Sequence, residues 1–124
     1  MFITSIDKTQ PIIAGDGTKL YELLHPTHSK QSYKITYSVA YAILEKDQVS
    51  TPHRLKESTE VYIIIEGIGK VVLDKEERTV KKGDIILIPP GTIQSIQNIG
   101  PEPLSFLCIV NPPWTKDDEE ILES

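Results

Sequence analysis

The sequence predicts a single all-β domain, folded as a sandwich or a barrel. Short runs rich in β-branched and aromatic residues fill the middle of the chain, which is the composition expected of strands. Turn signals made of glycine, proline or clustered charges separate these runs about every 8–12 residues, a spacing typical of sandwiches and barrels. At 124 residues, the chain fits one domain with a real hydrophobic core.

The predicted strands can be justified in chain order. The segment 34–44, KITYSVAYAIL, alternates small residues with larger ones, and 60–66, EVYIIIE, contains a β-branched apolar run. Gly67-Ile68-Gly69 and the charged stretch 74–77 then supply turns. The remaining strands are predicted at 70–74, 78–81, 85–88, 93–98 and 104–110.

The two ends of the chain are expected to flank a barrel core that covers about residues 18–112. The segment 18–24 fits either a strand or a helix, and 116–122 fits one helical turn. The tail, 113–124, is acidic and is expected to be a solvated end rather than an interaction arm. Its acids are Asp117, Asp118, Glu119, Glu120 and Glu123.

The net charge of −5 comes mostly from that tail. Subtracting its five acids and Lys116 from the totals of 18 acids and 13 bases leaves 13 and 12. A nearly neutral body argues against nucleic-acid binding, which needs a basic face.

The cysteine count and the hydropathy pattern predict a cytoplasmic protein. Cys108 is the single cysteine, which excludes a disulfide scaffold and a cysteine-ligated zinc, and it is expected to be a buried thiol. No apolar stretch approaches the roughly 20 residues that cross a bilayer. The first residues lack a charged region followed by an apolar one, so neither a signal peptide nor membrane association is expected.

The segment 83–98 carries the first informative pattern, Gly83-x5-Pro89-x-Gly91-x2-Gln94-x3-Asn98. A turn at Gly83 leads into a buried strand, which Pro89 ends because proline has no N–H for a sheet ladder. Gln94 follows just inside the next strand.

A companion pattern lies upstream, where Asp47, His53, Leu55, Glu60 and Gly67 occupy fixed spacings. The two patterns, in this order, resemble the paired motifs of the cupin superfamily, whose first motif is Gly-x5-His-x-His-x3or4-Glu-x6-Gly. The segment 22–26 and the Pro-Pro-Trp sequence at 112–114 also resemble small single-domain cupins. The resemblance implies a double-stranded β-helix, or jelly-roll barrel, with short irregular or helical ends and a ligand site inside the barrel.

The resemblance also implies a metal site, with two of its four usual ligands altered here. Cupins commonly hold Mn, Fe, Ni, Zn or Cu with three histidines and a carboxylate. In this chain His53 and Glu60 keep their types, Gln94 stands for one histidine and Leu55 for another. The predicted ligands are therefore His53, Glu60 and Gln94, holding Mn, Fe, Ni or Zn weakly.

Three functions fit this site, and the sequence leaves open whether the protein is an enzyme. A metal-assisted oxygenase or isomerase would use His53, Glu60 and Gln94. A metal-free epimerase or isomerase would use His53 or Glu60 as its base. A non-catalytic sensor or binding cupin would have lost the chemistry, as Leu55 suggests. In each case the partner is a small molecule in the barrel, anionic or carbonyl-containing.

Two further expectations concern the surface. His25 and His28 are predicted to be surface histidines of a loop, although small cupins resembling this chain also carry a His-Pro at 25–26. A homodimer is expected from the resemblance, since pairing through sheet edges also protects exposed strands.

Overall fold

Eleven strands form two antiparallel sheets in the computed structural model, which describes residues 1–122. A short 3-10 helix, Ile6–Lys8, precedes them. The strands are β1 Ile12–Ile13, β2 Lys19–Leu24, β3 Ser38–Leu44, β4 His53–Leu55, β5 Thr59–Glu66, β6 Ile68–Leu73, β7 Glu76–Lys81, β8 Ile85–Ile88, β9 Gln94–Asn98, β10 Leu104–Asn111 and β11 Glu119–Ile121.

The strand order is that of a jelly-roll barrel. One sheet runs β1-β2-β3-β10-β5-β8, and the other runs β11-β4-β9-β6-β7. A single buried cluster draws on both sheets, because the inner face of each is apolar. Its largest fully buried apolar side chains are Phe106, Leu44, Ile64, Ile88, Ile96 and Leu104. The predicted all-β barrel is confirmed.

Alternation along the strands turns the motif residues inward. In β5 every second residue is buried, so Glu60 and Tyr62 share the inner face with Ile64. In β9 the same period buries Gln94 and Asn98. A polar motif residue therefore enters the barrel because its strand neighbours two positions away belong to the core.

Asn98, the last residue of the second motif, fastens two loops to the core. It is completely buried, and its amide donates hydrogen bonds to the carbonyl oxygens of Leu44 at 3.0 Å and Glu102 at 2.8 Å. Its side-chain oxygen accepts one from the Gly100 N–H at 3.0 Å. All of its polar atoms are thus satisfied away from water, as burial requires.

The structure confirms most predicted strands and corrects several boundaries. The ambiguous segment 18–24 is a strand, β2, and the first long strand begins at Ser38 rather than at residue 34. The charged turn predicted at 74–77 is narrower, since Asp74 adopts a φ of 55° and β7 already starts at Glu76. β4 was not predicted.

The C-terminal segment differs from the expected solvated end with a helical turn. Glu119–Ile121 forms β11, which pairs with β4 in the register Glu119↔Leu55 and Ile121↔His53. The Asp118 carboxylate accepts hydrogen bonds from the backbone N–H groups of Glu57 and Ser58. β11 forms because β4 would otherwise have a free edge, whose unpaired backbone N–H and C=O groups can pair with a neighbouring segment. Glu123, predicted as part of the acidic tail, lies outside the described residues.

Within residues 1–122 no helix is long and apolar enough to span a membrane.

Gly67 connects β5 and β6 where the chain passes close to Pro103. Its φ is +95°, and a Cβ there would lie 2.7 Å from the Pro103 carbonyl oxygen and 2.9 Å from the Leu104 Cα. Gly83 has a similar φ of +91° with nothing within 4 Å of its Cβ position. Gly67 is therefore required for space as well as for backbone conformation.

We expect Gly67→Ala to destabilise the fold more than Gly83→Ala. Backbone strain alone costs about 1–2 kcal/mol at either position, and the contact with Pro103 adds about 2 kcal/mol or more at Gly67. Urea unfolding of the two variants and the wild type measures the difference. Equal losses for the two variants would contradict the close approach.

Candidate functional site

The barrel encloses a cavity of about 180 Å³, room for on the order of ten water molecules. Apolar side chains from the six-stranded sheet form most of its wall, including Ala40, Ala42 and Phe106. Among residues 1–122, no lysine or arginine lines the cavity. Its ionisable and polar side chains include Asp16, Glu22, His53, Glu60, Tyr62 and Glu119.

His53 enters this cavity from β4 and is almost fully buried. Its Nδ1 lies 2.9 Å from the Thr51 carbonyl oxygen, so Nδ1–H donates to that oxygen and Nε2 carries the lone pair. The Asp16 Oδ2 atom lies 3.7 Å from Nε2. A neutral His53 can accept a proton here, and Asp16 would stabilise the resulting imidazolium.

Glu60 faces the same cavity from β5. Burial raises the pKa of its carboxyl to about 8, the nearby Gln94 amide partly opposes this shift, and Asp16 and Glu119 add to it. No cationic side chain forms an ion pair with Glu60 among residues 1–122. Near neutral pH this acid therefore holds its proton and can donate it.

Gln94 lies between Glu60 and Tyr62. Its Oε1 accepts a 2.5 Å hydrogen bond from the Tyr62 hydroxyl, whose pKa is raised by burial and by Glu60. Its Nε2 is buried without a well-formed hydrogen bond, although the amide is close enough to favour the charged form of Glu60. A buried donor without a partner is costly, so a ligand or a small rotation of Glu60 would satisfy it.

The predicted ligands His53, Glu60 and Gln94 lie together, but they do not form a ready cation site. β4 and β9 place His53 directly opposite Gln94, and His53 and Glu60 line one cavity. The Tyr62 hydroxyl occupies one of the two lone pairs of the Gln94 oxygen, and the amide nitrogen cannot bind a cation. Neither His53 nor Glu60 belongs to a group of three His, Cys, Asp or Glu ligand atoms in the described chain. The assignment of His53, Glu60 and Gln94 as metal ligands stays a prediction.

Asp16 and Glu119 belong to the cavity but were not among the predicted site residues. Asp16 lies in the turn after β1, and Glu119 begins β11. Glu119 Oε2 accepts a 2.8 Å hydrogen bond from the Trp114 indole N–H. The sequence shows Asp16 only as part of a turn and Glu119 only as one acid in a charged run, so neither carried a usable signal.

Cys108 is buried in the cavity wall, as expected. Burial raises the pKa of its thiol well above the usual value, so it stays protonated and is a poor nucleophile.

His28 is exposed, as predicted, but the prediction of a surface histidine is wrong for His25. His25 is buried, and the two rings stack with centroids 3.3 Å apart and planes 5° apart. With Glu22 they form the one group of described residues that brings together ligand atoms able to hold a metal ion. The loop after β2 folds back on the strand and so creates a cluster that sequence spacing did not indicate.

The comparisons with known proteins agree with this architecture. Residues 40–110 match the family model described as a cupin domain. The chain belongs to the cupin family. It is 44% identical over 120 residues to the uncharacterized protein MJ1618 of Methanocaldococcus jannaschii, covering 97% of this chain and 94% of that protein.

Solved structures of other cupins share the fold at low identity. A variant of Streptomyces PAC13, solved with uridine, is 16% identical and superposes with a TM-score of 0.78 over 99% of this chain and 91% of that one. Pac13 is described as a unique nucleoside dehydratase. KdgF from Halomonas sp. is 17% identical, with a TM-score of 0.73 over 91% of this chain and 94% of that one. At these identities the likeness shows the fold.

We expect Glu60→Gln to change how stability depends on pH. The pKa of Glu60 is about 8 in the folded protein and about 4.3 in an unfolded chain. Across that interval the folded state keeps a proton that the unfolded state releases, so this group's contribution to stability falls as the pH rises.

The variant keeps the shape of the side chain and removes this titration. Its free energy of unfolding, relative to the wild type, should rise by about 1.4 kcal/mol per pH unit, or about 3 kcal/mol from about pH 5 to about pH 7. Urea unfolding at both pH values measures it, with Glu66→Gln on the exposed end of β5 as the matched control. Parallel pH profiles for the wild type and Glu60→Gln would contradict the raised pKa.

Proposed function

We propose that this cupin binds a small, polar, uncharged molecule in its barrel and moves protons on it with Glu60 and His53. The observation that carries the proposal is the pairing, in one cavity, of a protonated carboxyl with an imidazole whose Nε2 is free. General acid–base catalysis commonly uses one group that donates a proton and another that accepts one.

The charge of the cavity supports an uncharged ligand. Four carboxyl side chains face it, and no lysine or arginine of the described residues 1–122 does. The four are Asp16, Glu22, Glu60 and Glu119. An anion would meet acidic groups in a medium of low dielectric constant, where repulsion is strong. This argues against the anionic ligand that the sequence left open and favours the carbonyl-containing or hydroxylated one.

The two groups can share a proton-transfer reaction in opposite roles. His53 Nε2 takes a proton from a carbon next to a carbonyl, and Asp16 faces the imidazolium that forms. Glu60 donates its proton to the oxygen on which charge develops. If that oxygen is a departing hydroxyl, the C–O bond breaks and water leaves. If it is the carbonyl of a compound with a hydroxyl on the neighbouring carbon, an enediol forms. His53 then delivers the proton to the former carbonyl carbon while Glu60 takes the proton of the other hydroxyl, so that the carbonyl moves to the neighbouring carbon and both residues recover their starting states.

The fold neighbour Pac13 supports elimination as one form of this chemistry, since it is described as a nucleoside dehydratase. A dehydration needs one group that removes a proton and one that protonates the hydroxyl. His53 and Glu60 fit these two tasks, and the Tyr62–Gln94 pair holds polar atoms beside Glu60 without adding charge.

A second candidate function is binding without catalysis. Leu55, where the cupin motif carries a histidine, is 3% exposed and contributes only packing. A sensor would keep the cavity and its polar contacts and would show no turnover.

We expect chelator-treated protein to catalyse hydrogen exchange on a neutral carbonyl compound with adjacent hydroxyls. The test is proton NMR in D2O with a panel of neutral sugars and other neutral hydroxycarbonyl compounds, following the loss of C–H signals. Glu60→Gln and His53→Gln should each lower the rate about 10²-fold or more, because each removes one proton-transfer group.

The matched control is Glu66→Gln, which makes the same change on an exposed residue of β5. It should leave the rate unchanged. Turnover that survives Glu60→Gln, or that requires an added metal ion, would contradict the proposal. Saturable binding without exchange would support the sensor instead.

A further inference from the structure

A second polar site lies beside the barrel, where β2 runs into the loop that follows it. Glu22, His25 and His28 are spaced Glu-x2-His-x2-His. Each offers one ligand atom, and these atoms lie within 4.8 Å of one another. This donor set is two imidazoles and one carboxylate, which suits borderline divalent ions.

His25 is oriented by hydrogen bonds at both of its ring nitrogens. Its Nε2–H donates to the Trp114 carbonyl oxygen at 2.8 Å, so the lone pair of the neutral ring is on Nδ1. Nδ1 accepts a hydrogen bond from the Thr27 backbone N–H at 3.2 Å, and an ion bound to Nδ1 would replace this hydrogen bond. A metal-binding histidine commonly donates its other ring N–H to a backbone carbonyl, which fixes the ring and its tautomer.

His28 and Glu22 already lie at the separation of two ligands on one ion. His28 Nδ1 is 3.0 Å from each of the two Glu22 carboxylate oxygens. The His28 Nδ1–H donates to the carboxylate, and transfer of this proton to Nε2 leaves Nδ1 able to bind a cation, because a ligating imidazole nitrogen carries no proton. His28 is partly exposed, its side chain having a relative solvent accessibility of 38%, so an ion can reach it from solvent.

The two rings lie face to face, with centroids 3.3 Å apart and planes 5° apart. Because the lone pair of a ring nitrogen lies in the plane of its ring, one ring must rotate for both rings to bind the same ion. His28 is the exposed member of the pair, so its side chain has room to rotate.

We propose that Glu22, His25 and His28 form a binding site for a borderline divalent cation such as Zn²⁺ or Co²⁺, with the remaining coordination positions open to water. The site is separate from the acid–base pair, because neither His53 nor Glu60 contributes a ligand. It borders the barrel, since Glu22 also lines the cavity. The ion would fasten the loop after β2 to the strand and, through His25, to Trp114.

The test is metal titration of the full chain after treatment with chelator and removal of the chelator. Calorimetry with Zn²⁺ and visible absorption with Co²⁺ should show one ion per chain, the Co²⁺ spectrum reporting nitrogen and oxygen ligands. His28→Ala and Glu22→Gln should each weaken binding about tenfold or more. Circular dichroism checks that both variants fold.

The control is His53→Gln, which removes the imidazole of the barrel and leaves the second site intact. It should bind Zn²⁺ and Co²⁺ as the wild type does. Loss of binding in His53→Gln, with binding retained in His28→Ala, would place the ion in the barrel and overturn the proposal. Absence of saturable binding to the wild type would overturn it as well.

Discussion

Burial of the Glu60 carboxyl without a cationic partner is the constraint from which the proposed chemistry follows. β5 must turn Glu60 inward because Tyr62 and Ile64, two and four residues on, belong to the core. Once inside, the carboxyl can avoid the cost of an unpaired charge by keeping its proton. The neutral Gln94 amide and the Tyr62 hydroxyl beside it are consistent with that state. The described part of the chain also places no basic side chain in the cavity lining.

The cavity is completed by both ends of the chain. Asp16, in the turn after β1, approaches His53, while Glu119, in β11, lies beside Gly15, where a Cβ would meet its Oε1 at 3.1 Å. Trp114 joins the two polar sites, since its indole donates to Glu119 and its carbonyl accepts from His25. The segments that flank the family motifs therefore supply much of the charge of the cavity and the whole of the second site.

The sequence was sufficient to predict the barrel and part of the site. Strand period and turn chemistry are local properties, so β5, β8, β9 and β10 were predicted within a few residues. The motif spacing predicted one site for His53, Glu60 and Gln94, and these residues lie close together in the structure. It did not show that the Gln94 oxygen is engaged by Tyr62, because that contact joins residues 32 positions apart on strands of different sheets.

The sequence by itself determined the all-β cupin barrel, the inward direction of Glu60 and Gln94, and the loss of a histidine at Leu55. These follow from alternation and spacing, which act between near neighbours in the chain. Tertiary structure alone decided that Asp16 and Glu119 enter the cavity, that the C-terminal segment pairs with β4, and that His25 stacks on His28. Each of these depends on how the segments near the chain ends pack against the barrel. A local sequence pattern does not determine how deeply a side chain is buried there, which charges surround it or which group it contacts.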